Sequence, residues 1–176
     1  MNKQKKWAEA SRPERRMMVA QDVLDQVEAG KILSSPGIYF AMRNNHRNPV
    51  NTYDDGVEII RKGGTCEACA IGFIFYSSMK NYGYCKENHA PTLIGDGCGH
   101  IGFIGKDMID TMSDAFSVKE LRKMEFAFEG RSIGGTDFSL AERRDCENFH
   151  ASNPSDQSRL TSIMKNILKN GGDFKP

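Results

Sequence analysis

Residues 66–80, CEACAIGFIFYSSMK, constrain the fold of this 176-residue chain more than any other stretch. Cys66, Cys69, Phe73 and Tyr76 recur at intervals of three and four, so on a helix they share one face. Ile71, Ile74 and Phe75 make the remaining faces apolar as well. A helix that is apolar all round belongs inside a core, with other elements gathered about it. Gly63-Gly64 and Asn81-Tyr82-Gly83 mark its ends. The spacing predicts a central helix over 66–80.

Other segments carry amphipathic signals that could surround it. Ser11 with Glu14 has capping-box spacing, and Met17, Ala20, Val23, Leu24 and Val27 follow as one apolar stripe until Gly30. Arg15, Arg16, Asp22, Asp25 and Glu28 are expected on the wet side of that helix. Met108, Ile109 and Met112 suggest one short helix. Ser117 with Glu120 starts the next, with Leu121, Met124 and Phe128 inward and Gly130 as the stop. A short helix is expected over Leu140–Phe149. Asn153-Pro154-Ser155-Asp156 opens a last one with the stripe Leu160, Ile163, Met164, Ile167 and Leu168, closed by Asn170-Gly171-Gly172. No internal repeat or low-complexity tract stands out.

Between these lie turn-rich stretches. SSPG and NNHRNP bracket residues 37–42, a short strand, and residues 101–104 supply a second apolar string. Residues 52–62 fit either a strand or a helical turn. The expectation is one compact, mainly α domain over 1–176, with four or five helices, a small β element and a loop-rich insert at 82–106. The alternative is an α+β fold. Residues 1–10 are expected to be frayed.

Composition excludes several classes. Lys plus Arg total 24 against 23 for Asp plus Glu, so no whole-surface attraction to nucleic acid or anionic membrane is expected. The 118–129 helix is mixed in sign, unlike one that reads DNA. No apolar run approaches the roughly 18–20 residues of a membrane span, and no apolar h-region follows the basic start. Five cysteines, an odd number without secretory context, point to reduced thiols in a cytoplasm.

The cysteines concentrate the chemical options. Free cysteine is among the most buried residue types, so Cys66 and Cys69 have a plain reading as packing atoms. Cys66-x2-Cys69 followed downstream by Cys85-x3-His89 also resembles a four-ligand zinc pattern, with Cys98 and His100 as spares. A third option is a nucleophile. Cys66 in the first turn of a helix would feel its positive end, with His100 as base and Asp110 as orienting group. His46 reads as an exposed loop residue and His150 as a packing residue. IGDGCGHIG lacks what a phosphate loop needs.

Two resemblances add to this. Cys66 opening an apolar helix, His100-Ile-Gly-Phe-Ile-Gly downstream and Asp110 beyond it look like the NlpC/P60 cysteine peptidase pattern over residues 64–110. That family implies an α+β fold with Cys66, His100 and Asp110 as its catalytic set. The chain departs from it in lacking an aspartate before Cys66 and Ser-Gly after it. The second covers more of the chain: QDVLDQVEAGKI, CEACAIG, FSVKELRKMEFAFEG and RLTSIMKNILKNGGDFKP resemble small uncharacterised proteins encoded by bacteriophages and prophages. It implies a mainly helical domain acting in the cytoplasm of an infected bacterial host. The expected function is non-enzymatic: an accessory module that binds or inhibits a host protein or a small-molecule signal. Its contact loops would be 43–56, 82–106 and 131–139, since irregular loops on a rigid frame concentrate binding residues. The alternatives are a Cys66/His100 hydrolase and a zinc-stabilised interaction module.

Overall fold

The computed structural model describes residues 3–37, 41–42, 66–82, 112–131 and 138–176. Among them lie six helices and a small sheet, so the protein is mainly α. The expected strand at 101–104, the alternatives for 52–62 and the residues before Met112 in its helix fall outside the described residues.

The described chain starts with the short helix α1 (Lys3–Glu9). Seven residues make too few helical hydrogen bonds to persist alone. Tertiary contacts hold them. Trp7 is buried, and Arg15 donates to the Trp7 carbonyl (3.0 Å) and the Ala8 carbonyl (3.3 Å) while its guanidinium lies over the indole. The locally basic start thus works as an internal clamp.

Helix α2 (Arg12–Glu28) begins at the anticipated Ser11, whose N–H donates to the Glu14 carboxylate at 2.7 Å. Its buried face holds Val19, Ala20, Val23 and Leu24, with Met17 and Val27 only half-buried. Arg16 and Asp22, expected in water, are buried instead. Arg16 explains how a charge can be there. Its Nε donates to the Ala115 carbonyl (2.7 Å), Nη1 pairs with Glu120 (2.7 Å) and Asp173 (2.8 Å), and the guanidinium stacks over Phe116. A buried cation is tolerated when its donors are satisfied in this way.

Three short strands follow: β1 (Ile32–Ser34), β2 (Ala41–Met42) and β3 (Cys66–Ala68). The order is β1-β3-β2. β1 runs parallel to β3, with Ile32 opposite Cys66 and Ser34 opposite Ala68; β2 runs antiparallel, with Met42 opposite Cys66. Residues 41–42 of the anticipated 37–42 strand are therefore in the sheet, alongside two strands the sequence did not reveal. Gln157 blocks further pairing at β1 by accepting from the Ser34 N–H at 3.1 Å.

The apolar stretch is helical only from α3 (Ala70–Tyr82), four residues later than the predicted start. Its role is the expected one. Ala70, Ile71, Phe73 and Ile74 have no exposed surface, and the helix packs against α1, α2 and α4 (Val118–Glu129). Each large apolar side chain buried there contributes roughly 1.5–3 kcal/mol.

Helices α4, α5 (Leu140–Ser152) and α6 (Asp156–Lys169) all begin with a serine N-cap. A five-residue phrase recurs before two of them: Phe116-Ser-Val-Lys-Glu and Phe138-Ser-Leu-Ala-Glu. In each, the glutamate takes the serine N–H and the serine hydroxyl accepts the glutamate N–H, closing a capping box. This duplication is too brief to show as a sequence period. α6 buries Leu160, Ile163, Met164 and Ile167 against α2, α4 and β1, and Leu168 is half-buried. None of these helices is long and apolar enough to cross a membrane.

Candidate functional site

Cys69 is the only residue between β3 and α3. Its carbonyl accepts the Phe73 N–H at 3.2 Å, which makes it the residue that caps the helix. Cys66 lies in the central strand, not in the first helical turn as expected.

Cys69 does occupy the favourable end of the dipole, yet its thiol is pushed up to about 12. Burial is the largest cause; the Gly72 and Ile71 N–H groups pull the other way, and the Glu129 and Glu125 carboxylates add to the rise. The magnitudes explain the outcome. A helix end is worth about 0.3–1 kcal/mol, whereas full desolvation of a charged group shifts it by up to 3–5 pKa units. At neutral pH Cys69 is a neutral thiol. Cys146 on α5 is similar: fully buried, its Sγ donates to the Lys123 carbonyl at 3.7 Å.

The strand also separates the two candidate ligands. Three extended residues carry Cα66 and Cα69 roughly 10 Å apart, whereas a disulfide joins Cα atoms about 4.4–6.8 Å apart. Cys85, His89, Cys98, His100 and Asp110 lie outside the described residues. Among the described residues, no three His, Cys, Asp or Glu side chains gather as a metal site. Iodoacetamide at neutral pH is expected to leave Cys69 and Cys146 unlabelled in native protein and to label both in urea. A glutathione redox buffer should leave Cys66 and Cys69 unbridged. Rapid native labelling of Cys69, or a 66–69 disulfide in peptide mapping, would refute this junction geometry.

A carboxyl pair on α4 faces the junction. Glu125 is buried, and Glu129 Oε1 accepts the Gly37 N–H at 3.1 Å. This bond sets Gly37, which precedes residues 38–40, beside the end of α4, which leads to residues 132–137. Arg159 of α6 joins the same region, bonded to the Asn153 and Pro154 carbonyls, paired with Asp156 and stacked over Phe128.

Burial pushes the Glu129 carboxyl above its ordinary value of 4.5, against the opposing pull of the Gly37 N–H and Arg131. The folded protein then holds this proton more tightly than the unfolded chain does. Its contribution to stability is full below about pH 4.5 and is lost as pH rises through the folded value. Glu129→Gln keeps an oxygen for Gly37 and removes the charge. Its urea midpoint is expected above wild type near pH 8, with the gap closing as pH falls toward 4.5. A gap independent of pH would assign the difference to packing instead.

Between α1, α2 and the end of α6 lies an open groove of about 540 Å³, lined by Lys6, Glu9, Ala10, Glu14, Met17, Met18, Gln21 and Leu168. Met17, Met18 and Leu168 supply a flexible apolar lining, and the charged and amide groups lie around it. The sequence held one sign of it. Met17-Met18 places two large apolar residues side by side on α2, more than one buried stripe requires. The expected contact loops, 43–56, 82–106 and 131–139, fall almost wholly outside the described residues.

The described residues form a mainly α domain with a small mixed sheet and an open, methionine-lined concavity. No protein-family model, curated protein or solved structure matches the chain.

Proposed function

We propose that the chain is a phage-type accessory protein that works by binding, taking a host protein or a small-molecule signal of the infected bacterium, and is not an enzyme. The α1–α2–α6 groove carries this reading. Its volume of about 540 Å³ falls within the roughly 300–1,000 Å³ of ordinary ligand pockets. Methionines adapt to partners of differing shape, which suits an inhibitor surface. The segments 43–56, 82–106 and 131–139 are proposed as further binding residues on the ground of their irregular, turn-rich sequence.

The test is site-specific photo-crosslinking in the host cell. A photoreactive residue at Gln21, in the groove, is expected to trap a discrete species. The same residue at the exposed Arg144 on α5 should not. Met17→Glu should abolish the adduct without changing helix content, while Cys66→Ser and His100→Ala leave both the adduct and any cellular effect intact. An effect lost in Cys66→Ser or His100→Ala protein that remains folded, with no adduct at Gln21, would replace binding by Cys-His hydrolysis.

A further inference from the structure

We draw no further inference here: the strongest candidate, the Glu125–Glu129 carboxyl pair beside the Cys69 thiol where β3 turns into α3, is an acidic cluster around a single cysteine at a helix start, and nothing in the structure shows a ligand that it would hold.

Discussion

Phe73→Ala is expected to destabilise the domain by about 4 kcal/mol, the upper part of the range for a buried aromatic. Phe73 has no exposed surface, and neither do Ile71 and Ile74 beside it. α3 is packed by α1, α2 and α4, so no single neighbour can move in to close the cavity. The Phe73 N–H also makes the bond that joins the helix start to Cys69, and alanine keeps that bond. The loss therefore isolates packing. Domains of this kind have only about 5–15 kcal/mol to lose, and at roughly 2–4 °C per kcal/mol the melting point should fall by about 10 °C. Leu140→Ala is the matching control. Leu140 is 85% exposed, and its truncation should change stability by no more than about 0.5 kcal/mol. Equal effects in urea denaturation followed by circular dichroism would remove α3 from the centre of the fold.

The local grammar of this chain was legible because it is written locally. Ser117 with Glu120, and Leu160 through Ile167, state a start and a stripe within one or two turns, and the structure places them so. β3 differs from the helical expectation for a physical reason. Cys66 and Cys69 fit helical spacing with Phe73, but a short apolar run has no periodicity that separates buried strand from buried helix. The choice was made by Ile32–Ser34 and Ala41–Met42, which satisfy the β3 backbone from both sides. Arg16 follows the same logic. Its partners Ala115 and Asp173 are 99 and 157 positions away, and nothing near Arg16 announces them. The candidate site shared this fate. A cysteine near a helix start invites a thiolate, but its burial is set by α4 and the core. The groove depends on Leu168 meeting Met17 and Met18 across the length of the chain.

The tail completes that meeting, and Gly172→Ala is expected to undo it at a cost of about 3 kcal/mol, left-handed strain and backbone collision combined. α6 ends in a Schellman turn: Gly172 N–H reaches the Ile167 carbonyl (2.8 Å) and Gly171 N–H the Leu168 carbonyl (3.3 Å). Both glycines have positive φ, 63° and 104°. They differ in surroundings. A Cβ on Gly171 meets nothing within 4 Å, whereas one on Gly172 would lie 2.6 Å from the Pro13 carbonyl oxygen and 2.8 Å from its Cα. Pro13 is fixed in the first turn of α2 and cannot yield without moving that helix. Beyond the glycines, Asp173 pairs with Arg16, Phe174 meets Phe149 edge to face at 5.4 Å, and Lys175 N–H bonds to Asn166 at 2.8 Å. Gly171→Ala should therefore cost only about 1 kcal/mol, the strain alone. Gly172→Ala should lower the melting point further and expose the tail to carboxypeptidase. Because α2 and α6 together line the groove, the crosslink from Gln21 should weaken in Gly172→Ala and persist in Gly171→Ala. Equal losses in the two variants would mean that the Pro13 contact does not hold α6 against α2.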